Sequence, residues 1–402
     1  MASNLLTFLR NKAFLLSLVL CILSLPFQIK ILSYEAQWGN GFSNPYASIF
    51  FSLFDFSLLL AALAYLFFEQ KKKFLQPPPA LLLFITLAAA SLLITPYTDS
   101  FFHLLLAVKL LELLLFFILL RQTPSHTLLI KTFIVVMSVE ALWALGQVLL
   151  QQDFGFQILG EPSLSALTPH LARFGDFIRG YGSFPHPNIL GAFLVLSILL
   201  TFEAPLAKNE KITLLVMQCL GLLATFSRSA LLALILISLF QKQNLRKWFS
   251  LGAAILLLLF FAARGFNLLE DPAFLERLSG YHIAGEMILA HPFGVGFSHF
   301  TLYMDSVVSV ALMPWDYQPA HNVLLLLLAE IGIPFTLLLS GASVYALKKN
   351  PRYLTAALLL GCIGLFDHYW LTQDQGRLLL ILVLLWTIKK GAHSSKTPAV
   401  QG

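Results

Sequence analysis

The sequence predicts an all-α, polytopic membrane helix bundle of about twelve transmembrane helices, and three observations predict it. Charged residues make up 11% of the 402 residues and hydrophobic residues 58%, with a mean hydropathy of +0.80. A soluble domain carries about a quarter charged residues, so most of this chain is built for apolar surroundings. The apolar residues are gathered into runs approaching the roughly 20 residues that cross a bilayer as a helix. Lysine and arginine are distributed unevenly between the segments that join these runs. In lipid every backbone group must be paired internally, so the runs are read as helices.

The twelve runs are 13–29, 47–68, 79–95, 101–120, 130–150, 188–205, 211–226, 229–241, 248–263, 321–347, 353–368 and 376–388. The first follows Arg10 and Lys12 like a signal peptide, but it lacks a small-x-small cleavage pattern and is kept as a helix. With the N-terminus inside, eighteen Lys and Arg fall on the inner side and seven on the outer side. The positive-inside rule then puts both termini in the cytoplasm. Residues 1–402 read as one multi-pass domain of a cytoplasmic (inner) membrane, with two long outer loops, 151–187 and 264–320. Loops beyond about 15 residues are usually functional. The second contains a helix signal: Asp271 as N-cap, Pro272 at the first position, and Phe274, Leu275, Leu278, Tyr281, Ile288 and Leu289 at near-helical spacing, ended by His291-Pro292. An amphipathic helix on the outer leaflet or over a cavity is expected there.

The net charge of +6 is spread in small groups and implies no nucleic-acid partner. Cys21, Cys219 and Cys362 all lie within apolar runs, which argues against a disulfide framework or a metal set. No Asp-x-Asp pair is read as a holder of a divalent ion, so no metal and no cofactor is expected.

His321 opens the tenth run, beside Asn322, with Glu330 about two turns deeper. It is either an interfacial helix cap or a proton-transfer group, histidine being suited to that work near neutral pH. In the neighbouring "HPFGVGFSHF", Gly294 and Gly296 signal a close backbone approach. "TFSRSALLAL" sets Arg228 between two apolar runs, where an arginine is expensive unless it is paired or used. "FIRGYGSFPHPNILGAF" carries Arg179, His186 and Asn188 ahead of the sixth run. Six of the seven outer cations are arginines, among them Arg173. Their planar forks suit phosphate, or equally ordinary loop carboxylates. Lys109 and Glu112 are spaced to pair, with Glu140 as a possible third member. "FDHYWLTQDQGR" offers Asp367, His368, Asp374 and Arg377, either lining the entry path of a substrate or forming a plain polar loop.

Four blocks, "RGYGSFPHPNILGAF", "TFSRSALLAL", "AGEMILAHPFGVGFSHF" and "HNVLLLLLAEIGIPF", resemble in order, spacing and membrane placement the O-antigen ligase and O-antigen polymerase superfamily. The resemblance covers about residues 170–340 by motif and the rest by topology. It implies a fold like the C-type glycosyltransferases. The implied activity is transfer of a glycan from a polyprenyl-pyrophosphate carrier to a hydroxyl of an acceptor glycolipid, glycan or glycoprotein, at the outer face of the membrane; the missing Asp-x-Asp pair makes that transfer metal-independent by expectation. It also implies His321, Arg228 and Arg179 as the catalytic set, with His321 either taking the acceptor proton or orienting the pyrophosphate. Arg173, Asn188, Asn322, Gly294, Gly296, Glu330, Asp367 and His368 are the candidate substrate-binding residues around them. The sequence departs from the family pattern at Ser229 and Pro334, where glycine is frequent.

The rival reading is a polytopic transporter, or a flippase of a lipid-linked or small anionic substrate. Transporters of this size often show two similar halves and midplane breaks. Here the halves differ and the polar residues gather on the outer side.

Overall fold

The computed structural model describes all residues except 1, 38–42, 69–76, 96, 98, 166–170, 241–251, 253–271, 309–311, 314–315, 351–352 and 395–402. Eleven of the twelve predicted runs overlap described helices, in part with other bounds; the run 248–263 and the N-cap assigned to Asp271 lie outside the described residues. Three helical segments, Leu5–Ser24, Ser100–Gln122 and His126–Leu150, are long and apolar enough to cross a membrane. Leu53–Leu66, Pro79–Ile94, Pro187–Glu203, Arg228–Leu239 and Tyr353–Gly364 are apolar but shorter.

The chain divides into two compact units. The first comprises Met1–Glu35, Ser48–Leu75 and Ile118–Leu269. Its centre is the helix Pro187–Glu203, buried from Ile189 through Thr201; a helix apolar on every side belongs in the middle of a bundle. It packs against His126–Leu150, Lys208–Ala224 and Arg228–Leu239. Small residues permit the contacts: a Cβ on Gly221 would strike Ala141, and one on Gly191 would reach Ser227 and Ala230. Gln218 ties three helices together, its Nε2 donating to Ser138 Oγ at 3.0 Å and to Thr201 Oγ1 at 3.1 Å.

The second unit comprises Ala36–Ala47, Gln76–Phe117 and Glu270–Gly402. Here Pro272–Ala290 packs on Phe300–Val307 and Val323–Glu330, Pro79–Ile94 packs on Gly332–Lys349, and Tyr353–Gly364 packs on Asp374–Ser394.

The all-α expectation needs corrections. Two short antiparallel pairs are present, Lys30–Tyr34 with Ile49–Ser52 and Arg173–Phe174 with Phe177–Ile178. The run 47–68 is thus a strand followed by the helix Leu53–Leu66. Ser52 makes the change of direction, giving its N–H and its hydroxyl to Asp55 three residues on. The first run ends at Ser24, short of 29, just ahead of Pro26. The run 353–368 ends as a helix at Gly364, where any side chain would meet the Trp370 indole. The run 321–347 is two helices, Val323–Glu330 and Gly332–Lys349. Gly332 has φ +83°, a left-handed conformation that ends a helix, and Pro334 sits in the first turn of the next one, where its missing N–H costs little. The loop helix Pro272–Ala290 exists, but its buried face is Ile283, Ala284 and Met287, whereas Leu275, Leu278 and Leu289 are exposed.

The segment 291–300 is laid onto the break at Gly332. Val295 and Gly296 donate their N–H groups to the carbonyls of Ala329 (3.0 Å) and Glu330 (2.8 Å), and Ile333 donates to Pro292 at 2.9 Å. Gly294 has φ +90°, and a Cβ there would run into the Glu330 carbonyl. Gly294→Ala should therefore destabilise the purified protein by about 1–3 kcal/mol or more, through forced left-handed backbone and overlap. Gly285→Ala, in the helix Pro272–Ala290 with open space around the added methyl, should leave stability unchanged or raise it by up to about 1 kcal/mol. Thermal unfolding of both variants in detergent checks the pair; equal melting temperatures would show that the close approach at Gly294 is unimportant.

Candidate active site

Candidate residues fall in both units. In the second, Asn322 caps the helix Val323–Glu330, its Oδ1 accepting from the N–H groups of Leu324 (3.0 Å) and Leu325 (3.2 Å). His321 therefore stands just outside the helix, and Tyr281 OH donates to its carbonyl at 3.2 Å. The His321 Nδ1 lies 3.6 Å from Asp367 Oδ1, and its ring centroid is 4.8 Å from that of His368. Asp367 is 4% exposed, and its Oδ1 accepts the His368 N–H at 2.9 Å. The partner of His321 is thus Asp367. Glu330 is at the far end of an eight-residue helix, about 12 Å away at 1.5 Å per residue.

His368 is oriented in turn. Thr372 Oγ1 is 2.7 Å from His368 Nδ1 and 3.3 Å from the His368 carbonyl. When the hydroxyl donates to the carbonyl it accepts from the tautomer protonated on Nδ1, in which Nε2 is the lone-pair nitrogen. Tyr46 meets the His368 ring edge-on at 5.6 Å. Burial, with Asp367 and Glu276 adding to it, pushes the Tyr46 phenol up to about 12, so at neutral pH it keeps its proton.

Glu330, 2% exposed, fastens the 291–300 segment: its Oε1 accepts from Phe300 N–H at 3.3 Å. The close approach signalled by Gly294 and Gly296 is made to the chain's own backbone. His299, missed in the sequence, is fully buried on the same segment. Its Nδ1–H donates to Phe297 O at 2.7 Å, so its Nε2 accepts from His103 Nε2–H at 3.2 Å. Tyr97 and Phe102 pack edge-on against it. Lys109 pairs with Glu112 at 3.3 Å as its spacing suggested, but the third member of the group is Asp374 at 3.8 Å and not Glu140. Asp374 in turn binds Arg377 at 3.0 Å, and Arg377 Nη2 donates to Thr372 O at 3.4 Å. An apolar cleft of about 230 Å³ lined by Pro79, Phe84, Leu339, Tyr353, Trp370 and their neighbours contains none of the candidate residues.

In the first unit, Arg179 is held by two hydrogen bonds: its Nε donates to Thr225 O at 2.8 Å and its Nη2 to Asn188 Oδ1 at 2.5 Å. Asn188 thus orients the guanidinium. His186 caps the helix that follows, its Nδ1 accepting from Asn188 N–H at 3.1 Å. Gly180 N–H donates to Ala224 O at 2.8 Å, which seats the segment on the same turn that supplies Thr225. Two residues on, Ser227 caps the helix that begins with Arg228. Arg228 is half-buried at a helix N-terminus, the end where a cation is opposed by the dipole and an anion is welcomed. Arg173 lies in the small hairpin, its Nη1 donating to Asp176 O at 3.3 Å. Glu140 belongs to this loop: its carboxylate accepts Ser183 N–H at 2.8 Å and Ser183 Oγ–H at 2.9 Å. Gln147 Oε1 accepts the N–H groups of Tyr181 (2.9 Å) and Gly182 (2.8 Å). Leu164 N–H, with weaker donors, holds the Asp153 carboxyl below its ordinary value.

Three described helices are apolar and long enough to span a membrane, which defines the class: an α-helical membrane protein. Residues 213–340 match the family model for O-antigen ligase, and three of the four sequence blocks, all but "RGYGSFPHPNILGAF", lie within that stretch. The matched stretch contains Arg228, the glycine-rich segment, His321 and Asn322. No curated protein matches the chain.

His299 supplies a pH test. Burial lowers it from the ordinary 6.5 to about 4; the Phe297 carbonyl opposes the change and His103 adds to it. Below about 6.5 the unfolded chain binds a proton that the folded chain refuses, so stability is lost as pH falls toward 4, by a few kcal/mol at about 1.4 kcal/mol per unit. The melting temperature should therefore drop between about pH 7 and 4.5, and His299→Gln should flatten part of that slope. An undiminished slope in the variant would assign the acid sensitivity to other groups.

Proposed function

We propose that the protein transfers a glycan from a polyprenyl-pyrophosphate carrier to an acceptor hydroxyl at the outer face of the cytoplasmic membrane, in the manner of an O-antigen ligase. The observation that carries this reading is His321 at a helix mouth with its Nδ1 turned to Asp367 at 3.6 Å, within the stretch that matches the family. Asp367 favours the tautomer with the proton on Nδ1, which leaves Nε2 free to accept a proton, the role a carboxylate plays behind a catalytic histidine. As the acceptor oxygen bonds to the anomeric carbon, its proton passes to His321 Nε2 and the bond from that carbon to the pyrophosphate oxygen breaks. The leaving group gains negative charge. Arg179 and Arg228 are the residues assigned to it, because a guanidinium fork meets phosphate bidentately. The two hydrogen bonds on Arg179 fix its plane in advance, which lowers the reorganisation needed when charge develops. Asn188 and Asn322 support these residues by orienting Arg179 and capping the His321 helix. The reaction as drawn is metal-independent.

His321→Ala should preserve folding and donor binding while transfer falls by roughly 10²-fold or more, the usual worth of a general base. Separate measurement of donor binding and single-turnover rate decides it: weaker binding with an intact rate would make His321 a pyrophosphate ligand. Arg228→Lys keeps the charge but loses the fork. Cells carrying only that variant should accumulate carrier-linked glycan, and normal glycan display in them would remove the fork from the mechanism.

A further inference from the structure

Two imidazoles and a carboxylate converge at His321. The ligand-capable atoms of His321, Asp367 and His368 all lie within 4.8 Å of one another, Asp367 and His368 being buried and His321 partly so. The geometry points to a binding site for a divalent transition ion of the zinc class, one whose occupation switches transfer off.

The donor set suits such an ion, since zinc, cobalt and nickel favour imidazole with carboxylate. Tetrahedral coordination at about 2.0–2.1 Å places donors about 3.4 Å apart. The His321 Nδ1 to Asp367 Oδ1 distance of 3.6 Å is already close to that edge. The widest separation of 4.8 Å must close by about 1.4 Å to reach it, and the His321 ring, the most exposed of the three at 19%, is the one able to turn. The His321 Nδ1 is buried and, at 3.6 Å from Asp367, makes no hydrogen bond, so exchanging its proton for a metal breaks none. Thr372 fixes the other imidazole: by taking the Nδ1 proton of His368 it presents Nε2 as a lone pair, the outer arrangement that metal-binding histidines use. Two guanidiniums lie on the flanking backbone, Arg277 on Phe366 O at 3.4 Å and Arg377 on Thr372 O at 3.4 Å. Their charge opposes a bound cation and keeps the affinity moderate, as a reversible site requires.

The inhibitory sense follows from the tautomer, and it rests on the reading of His321 as the base. With no metal, the Nδ1 proton faces Asp367 and the Nε2 lone pair faces the acceptor. A metal on Nδ1 displaces that proton, which through solvent comes to rest on Nε2. The ring remains neutral, but the nitrogen that should accept the hydroxyl proton already carries one. No bond to substrate forms or breaks, and no electron is transferred.

The test uses the purified full-length protein in detergent with Co²⁺ and Zn²⁺ alone. Wild type should show the visible absorption of one bound Co²⁺, abolished by competing Zn²⁺. His368→Gln and Asp367→Asn, checked for folding by thermal unfolding, should each weaken Co²⁺ binding tenfold or more. No absorption in wild type, or binding unchanged in both variants, would overturn the site. In a transfer assay with wild type, saturating Zn²⁺ should suppress the rate by about 10²-fold, the scale of the lost base, and a chelator should restore it while leaving metal-free enzyme unaffected. A rate abolished by chelator and restored by metal would reverse the sense, making the ion a requirement. Bound Zn²⁺ with an undiminished rate would overturn the inhibition and count against His321 as the base. Co²⁺ binding in a protein without any transfer activity would leave the site standing and remove the function proposed above.

Discussion

A carboxylate buried on an apolar helix, accepting hydrogen bonds from the backbone of an irregular segment, is the interaction on which each unit depends. Glu140 does this for Ser183 in the first unit and Glu330 does it for Phe300 in the second. The physical need is plain. Long loops carry N–H groups that no ladder satisfies, and an apolar helix bundle offers few acceptors. One acidic side chain supplies acceptors where water is excluded, and a glycine beside it supplies the turn: Gly182 at φ +59° next to Glu140, Gly294 and Gly296 beside Glu330. The candidate residues stand close by in the chain. Arg179 and Asn188 flank the segment that Glu140 and Gln147 secure, and His321 opens the helix that Glu330 ends.

Much of this was legible in the sequence for physical reasons. Apolar runs mark helices because lipid-like surroundings leave the backbone no alternative, and Pro272 and His291-Pro292 marked the ends of the loop helix correctly. The arginines stood out because charge at the end of an apolar run needs a cause. Pairing across the fold was not legible. Glu330 is the carboxylate nearest His321 in the tenth run, whereas Asp367, forty-six residues on, is the one that faces the ring. Glu140 was grouped with Lys109 by depth alone, while Asp374 holds that place. The helix break at Gly332 was hidden by a continuous apolar pattern, since hydropathy reports the surroundings of a residue but not its φ.

The polar chain behind His321 shows how one small helix is put to use. Tyr369–Thr372 is a single turn, too short to be stable by itself. It is held from one side by Thr372 on His368 and from the other by Arg377, which also binds Asp374 and through it Lys109. The ion pairs of Lys109 and Arg377 with Asp374 are thus linked, through Thr372, to the turn that carries the neighbours of the candidate histidine.

The polar face of the helix His126–Leu150 has a consequence for how the chain is made. Glu140, Trp143 and Gln147 point to partners that come later in the chain: Glu161 for Trp143, and Tyr181, Gly182 and Ser183 for the other two. Should this helix enter a bilayer as it leaves the ribosome, a glutamate and a glutamine would sit in hydrocarbon with nothing to bind, each at a cost of several kcal/mol. Glu140 and Gln147 find these partners only when the 181–183 segment, more than thirty residues further along the chain, has docked, so the helix and that segment are satisfied together or not at all.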